Sequence, residues 1–352
     1  KQKNVSLAIK FLNMTKKLFL PTIQSALFLF CLIAMAQTPE STPREKYAAT
    51  ITSEDLSELL YTVASDSMQG RMTGTEGQKM AADFLQNFYK AHRIATAPGM
   101  DHYFQEIPAT YFTRMKNPVS SENVLAYIEG SELPDEVVVL SAHYDHVGME
   151  GDTIYNGADD DGSGTVALLE IAEAFQMAKD QGYGPKRSLL FLHVTGEEIG
   201  LYGSRYYTEN PIIPLAQTLC DLNTDMIGRI DPLKEGNENY IYLIGSDKLS
   251  QSLHDLSEEV NKTYVQLELD YTFNADDDPN RFYYRSDHYN FAEKNIPVIF
   301  YFNGVHQDYH KPTDTPDKIN YPLMAKRTRL IFHTAWEIAN REGRIYADKR
   351  TE

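Results

Sequence analysis

The run Val137-Val138-Val139-Leu140 is apolar at every position. Successive side chains of a β-strand point to opposite faces, so a strand with this sequence must be covered on both sides. Similar short runs occur at 123–128, 188–195, 218–222, 240–244 and 297–302. Around them, helical spacing of apolar residues predicts helices over 53–64, 76–91, 165–179, near 201–207, and over 247–260 and 321–341. Such strands, spaced by helices, predict one α/β domain with a mostly parallel central β-sheet and helices on both faces. Residues 51–352 are assigned to that domain. Composition agrees: 42% of residues are apolar and 24% charged, which excludes collagen-like, coiled-coil and wholly disordered chains.

In such sheets ligands bind beyond the carboxyl ends of the strands. His143, Tyr144 and Asp145 follow the run at 136–142, and Gly196, Glu197 and Glu198 follow the run at 188–195. Asn223, Thr224 and Asp225 follow 218–222, and His306 and His310 lie beyond 297–302. A loop, Gly157-Ala158-Asp159-Asp160-Asp161-Gly162-Ser163-Gly164, directly precedes the helix at 165. His, Asp, Glu, Asp and His thus come to one edge. Carboxylates gathered there repel one another unless cations lie between them. Imidazole mixed with carboxylate suits zinc, whereas calcium or magnesium would favour oxygen alone. Five side chains exceed what one zinc takes, so the count fits two metals sharing a carboxylate. His146 and His306 compete with His143 and His310 for ligation. His193 reads as a hydrogen-bonded core residue, His254 and His333 as helix residues, and Cys220 as a buried, inert thiol.

In their order and spacing these motifs resemble metallopeptidase family twenty-eight, the co-catalytic di-zinc aminopeptidases. The resemblance runs from about Asp66 to Pro316 and rests on Met68-Gln69-Gly70-Arg71, His143-Tyr144-Asp145, the Asp160 loop and Gly196-Glu197-Glu198. It continues through Asp225-Met226, Ser286-Asp287-His288 and Tyr309-His310-Lys311-Pro312-Thr313-Asp314-Thr315. It implies a zinc-exopeptidase fold and two Zn2+ per chain. His143 and Asp225 would hold one ion, Glu198 and His310 the other, with Asp160 bridging both. The resemblance also favours His310 over His306. Asp145 would orient His143 through its second ring nitrogen. Glu197 would be the general base for a metal-activated water, and Tyr309 would donate to the oxyanion. Arg285 is open between assisting there and a surface salt bridge. The implied reaction is hydrolysis of the first peptide bond of a substrate with a free amino terminus. Tyr283, Tyr284 and Phe291 suit either a pocket for an apolar first side chain or core packing. Too few residues lie between Arg71 and Val137 for an inserted protease-associated domain.

Two other readings compete. A glutaminyl-peptide cyclase on the same scaffold would line its pocket with tryptophan, but Tyr309 stands before the last candidate ligand and the only tryptophan is Trp336. A metal-free, non-catalytic homologue would not need all five candidate ligands and Glu197.

The amino terminus reads as an address. Lys16-Lys17 precede a stretch whose residues 26–35 are all apolar, and Ala34-Met35-Ala36 supplies a small-x-small exit. Residues 1–36 are therefore assigned to upstream sequence plus a secretory signal, with Met14 as the natural start and processing after Ala36. Pro21, Thr22, Gln24 and Ser25 interrupt the stretch, which argues against a spanning helix. Cys31 follows Phe30, where a lipoprotein signal wants a small residue. Residues 37–50 are polar, proline-bearing and expected to be a disordered lead-in. The expected location is periplasmic or extracellular, with no stable membrane insertion once the signal is removed. With 33 Lys plus Arg against 50 Asp plus Glu, the formal charge is −17. That charge repels phosphate backbones and anionic lipid heads, so nucleic acid is not an expected partner.

Overall fold

The computed structural model describes residues 41–349; the leader assigned to 1–36 lies outside them. In chain order the strands are β1 (Phe104–Ile107), β2 (Ser121–Ile128), β3 (Leu133–His143), β4 (Gly148–Glu150), β5 (Thr153–Tyr155), β6 (Arg187–Val194), β7 (Thr218–Thr224), β8 (Tyr240–Ile244), β9 (Glu268–Asp270) and β10 (Val298–Phe302). The helices are α1 (Pro43–Ala48), α2 (Ser53–Val63), α3 (Glu76–Ala91), α4 (Gly164–Asp180), α5 (Tyr202–Glu209), α6 (Gln251–Val260), α7 (His288–Glu293) and α8 (Tyr321–Asn340). Among the described residues, eight strands form one sheet in the order β1-β2-β6-β3-β7-β10-β8-β9, and β4 and β5 form a separate hairpin.

The centre of the sheet is parallel. β6 pairs with β3, β3 with β7 and β7 with β10, all in the same direction. Antiparallel pairings flank this centre, β2 on β6 and β8 on β10. The apolar run in β3 is covered as its sequence demands. Val138, Leu140 and Ala142 pack into one core with α4 and α8, while Val137 and Val139 pack into a second with Tyr207 of α5 and Phe291 of α7. Because the central strands are parallel, their carboxyl ends share one edge: His143 pairs with Val194, Ser141 with Asn223, and Tyr301 with Thr224.

Two boundaries differ from the sequence reading. Residues 43–48 are helical and docked, not part of a disordered lead-in. Arg44 Nη1 donates to Glu337 at 2.8 Å and Arg44 Nε donates to His333 Nδ1 at 3.1 Å, while Tyr47 is fully buried and stacks on Trp336. The docking depends on two side chains reaching a helix near the end of the chain, which local composition does not reveal. Helix α6 begins at Gln251 rather than 247, because Ser250 caps it, its Oγ accepting from Leu253 N.

Candidate metal centre

The candidate residues come from five separate segments near the shared edge. His143 ends β3, Glu197 and Glu198 lie in the turn after β6, and Asp225 follows β7. His310 lies beyond β10, with a φ of 53° that puts it in the left-handed region, sparsely populated by residues with a side chain. Asp160 lies in the loop before α4. That loop fits closely against β7: a Cβ on Gly164 would lie 2.2 Å from the Thr224 carbonyl oxygen, which explains a glycine there.

Three consecutive aspartates in this loop divide their work. Asp159 Oδ1 accepts from Gly228 N at 2.6 Å, and its Oδ2 faces His306 Nε2 at 3.2 Å. Asp161 Oδ1 accepts from Gly164 N and Met226 N. Asp160 alone turns into the cluster, Oδ1 3.2 Å from His143 Nε2 and Oδ2 3.0 Å from His310 Nε2. Glu198 Oε2 lies 3.0 Å from His310 Nε2, and Asp225 Oδ1 lies 3.6 Å from His143 Nε2. His306, the competitor to His310, holds Asp159 instead of entering this cluster.

The ligand atoms fall into two groups, each able to surround an ion. One contains His143, Glu197 and Asp225, the other His146, Asp160 and Glu198. His310 adjoins the second group from the solvent side, and His146 closes it from within, its Nδ1 2.8 Å from Glu198 Oε1. Although these groups are close, His143 Nε2 and Asp160 Oδ2 are buried with no properly angled hydrogen bond. Buried polar atoms in that state are uncommon in folded proteins, and divalent cations would satisfy them. The donor set of imidazole and carboxylate fits zinc.

Electrostatics separate the carboxylates. Burial raises Glu197, and Glu198, Asp225 and Asp287 add to it against the opposing effect of His143, so Glu197 is pushed well above the ordinary glutamate value. Burial would raise Asp160 too, but His143, His310 and His146 outweigh it and hold Asp160 well below its ordinary value. His310 is the converse: burial would lower it, yet Asp160 and Glu198 raise it to about 10.

Asp145 supports the cluster differently from the sequence expectation. His143 Nδ1 lies 3.0 Å from the Asp145 backbone carbonyl, while the Asp145 carboxylate is 3.8 Å away. That carboxylate instead accepts from Thr73 Oγ1 at 2.8 Å and from Glu197 N at 3.2 Å, tying the Glu197 turn to the end of β3. The strand end bends so that the carbonyl meets the ring first. Asp225 is steadied by Ser286, whose Oγ donates to its Oδ2 at 2.7 Å.

Arg71 is a structural residue whose role the sequence did not disclose. It is fully buried and donates to four carbonyls: Tyr144 at 2.8 Å, Val63 at 2.9 Å, Asn156 at 2.7 Å and Gly157 at 2.9 Å. It thereby clamps the β3 end to the Asp160 loop. Arg71→Met is expected to strand these carbonyls and lower unfolding free energy by roughly 3–5 kcal/mol. Guanidinium unfolding followed by circular dichroism measures it, and a loss below about 1 kcal/mol would rule out the clamp.

A small pocket with an apolar wall, about 30 Å³ in volume, adjoins the cluster. Met226, Phe282, Phe300, Phe302 and Val305 form its wall, and Asp160, Glu197, Asp225, Arg285 and Tyr309 its rim. Phe291 is fully buried in the core at α7 and Tyr283 packs against both that core and the one behind the pocket wall; neither lines the pocket. The Tyr309 ring stacks on His310 with centroids 3.9 Å apart. Among the described residues Arg285 makes no ion pair, its guanidinium lying 5.0 Å from the centre of the Phe282 ring. Elsewhere, His193 is hydrogen-bonded to Tyr89 Oη at 2.6 Å and Cys220 is fully buried, as their sequence contexts suggested.

The model of "Peptidase family M28" matches residues 123–335, more than half of the chain. A "probable zinc metalloprotease" of Pyrenophora teres f. teres is 34% identical over 164 residues, covering 45% of this chain and 31% of that protein. "Leupeptin-inactivating enzyme 1" of Streptomyces exfoliatus is 28% identical over 295 residues, covering 84% of this chain and 56% of that one. The chain thus spans less than two thirds of the length of these relatives. Among solved structures, the LapA aminopeptidase of Legionella pneumophila superposes with a TM-score of 0.66 at 20% identity, over 88% of this chain and 79% of that one. BSAP, a zinc aminopeptidase from Bacillus subtilis, gives 0.63 at 15% identity, over 83% and 96%. These two likenesses establish a common fold.

Proposed function

Because the chain belongs to peptidase family M28, we propose that it is a zinc-dependent exopeptidase acting on the first peptide bond of substrates with a free amino terminus. The observation that carries this reading is the placement of Asp160, whose two oxygens face His143 and His310 separately. In this reading His143 and Asp225 would hold one ion and Glu198 and His310 the other, with Asp160 available to both. Bound zinc would polarise the scissile carbonyl and bring the pKa of a water towards about 7. Glu197 takes the proton from the attacking water and returns it to the leaving amine. Its anchorage through Asp145 suits a group that must hold a proton briefly in a fixed place. The Tyr309 hydroxyl, at the pocket rim, donates to the oxyanion. The acidic rim of the small pocket attracts the α-ammonium group of the substrate.

Export is part of the same proposal and rests on the sequence features of residues 16–36. Among the described residues, no helix is long and apolar enough to cross a membrane.

The test is metal removal. Dialysis against a chelator is expected to abolish hydrolysis of a leucine anilide, and added Zn2+ to restore it. A glutaminyl-peptide cyclisation assay on the same preparation should yield no product. Activity that survives complete metal depletion, or cyclisation exceeding hydrolysis, would overturn the reading.

A further inference from the structure

A second depression, about 510 Å³ in volume, opens beside the apolar pocket. The two share Glu197, Arg285 and Tyr309, which form the ridge between them. A peptide whose amino terminus is held at the acidic rim of the first pocket therefore crosses this ridge at its scissile bond and lays its leaving portion in the second groove. The groove adds two arginines that the first pocket lacks. Arg114, Arg205 and Arg285 line the groove, and beyond Glu197 and Glu198 the only acidic residue lining it is Glu293.

The arginines are held in place but not neutralised. Arg205 Nη2 donates to the Gly200 carbonyl at 3.1 Å, and its guanidinium lies 5.5 Å from the centre of the Tyr202 ring. Arg114 is anchored by its backbone N donating to Tyr202 Oη at 2.9 Å. Its guanidinium rests directly on Gly200: a Cβ there would come within 2.2 Å of Arg114 Nη1, and the φ of 122° also favours glycine. Gly200 N in turn donates to the Glu197 carbonyl at 2.8 Å. Two guanidiniums thus converge on the turn that carries Glu197 and Glu198. Among the described residues none of the three arginines is ion-paired with a carboxylate, in a chain whose formal charge is −17.

Guanidinium groups recognise carboxylates through paired, charge-assisted hydrogen bonds. One extended residue advances the chain by only about 3.3–3.6 Å, so the groove meets groups one or two residues past the scissile bond. We infer that this groove is a leaving-side subsite for a carboxylate, which makes short peptides, with their free carboxyl terminus close to the scissile bond, the favoured substrates. This rests on the aminopeptidase reading. The same chemistry could be supplied by an acidic side chain immediately after the scissile bond, and the test separates the two sources.

The experiment compares kcat/KM of the zinc-loaded enzyme on Leu-Gly, Leu-Gly-amide and Leu-Asp-amide. A preference of about tenfold or more for Leu-Gly over its amide is expected, the scale of a partly exposed carboxylate–guanidinium pair. Should Leu-Asp-amide alone share that gain, the side chain rather than the terminus is the source, and the short-peptide preference falls. In Arg114→Gln the Leu-Gly to Leu-Gly-amide ratio should drop several-fold, with Arg114→Lys keeping most of it and Arg114→Gln/Arg205→Gln approaching one. The amide rate reports in each variant that the enzyme is folded. If the double variant is not folded, Arg114→Gln decides, together with a decline of the wild-type ratio in 0.5 M salt, about where exposed charges are screened within 3–5 Å. Equal rates on all three substrates, or a ratio untouched by Arg114→Gln, would overturn the subsite and leave the aminopeptidase standing. Hydrolysis of none would overturn both.

Discussion

Glu197→Gln is expected to fold, to retain its metal and to lose roughly 10²–10⁴-fold in turnover number. The substitution keeps the size of the side chain and its capacity to hydrogen-bond, and removes only the ability to take a proton. The Glu197 backbone N–H still reaches Asp145, so the turn should keep its shape. Substrate affinity should change much less than kcat, because the missing interaction belongs to the transition state. Glu198→Gln is the control. Its oxygens face His310 and His146, so that variant should weaken metal binding directly. Metal analysis and steady-state kinetics on a leucine anilide distinguish them. If Glu197→Gln loses zinc while Glu198→Gln keeps it, the two roles are reversed. If Glu197→Gln stays fully active, proton transfer has been assigned to the wrong residue.

Asp160→Asn should be more damaging still, with both ions lost on dialysis and activity lost with them. The carboxylate presents one oxygen toward His143 and the other toward His310, and an amide can offer only one oxygen to that space. The loop itself should survive, since its backbone N–H groups at Asp159 and Asp160 are accepted by Asp314 Oδ2 at 3.0 and 3.2 Å, independently of the Asp160 side chain. His310→Ala should empty mainly one position. Metal stoichiometry after full reconstitution is the readout. A wild-type value of one ion per chain, or an Asp160→Asn variant that keeps both, would exclude the shared-carboxylate arrangement.

Much of this architecture could be read from the chain, and the exceptions have a common cause. Strands β3, β6, β7 and β10 announce themselves because burial on both faces leaves no alternation to misread, and the residues just past their carboxyl ends gather on one edge. His143 and Asp225 were legible for that reason. Among Asp159, Asp160 and Asp161 the sequence alone could not choose, because the choice is made by Gly228, Met226 and Gly164, whose N–H groups occupy the outer two. Phe300 and Phe302 line the pocket from a strand whose pattern is indistinguishable from core. Arg71 works through backbone carbonyls, three of them more than seventy residues away, and carbonyls leave no mark in a sequence. The arginines of the leaving-side groove come from three separate segments. Interactions between a side chain and a remote backbone, or among side chains brought together only by topology, are the ones that local pattern cannot encode.

The sheet order carries a consequence for how the chain comes to life. β10 is the last strand in sequence, yet it lies between β7 and β8 in space. Until residue 302 has emerged, β8 and β9 have no neighbour through which to join the rest of the sheet. His310 arrives only after that closure. A growing chain therefore cannot bring all five candidate ligands to one edge, however many of the others are already in place. The order of synthesis thus makes this candidate metal centre the last part of the described sheet edge to be completed.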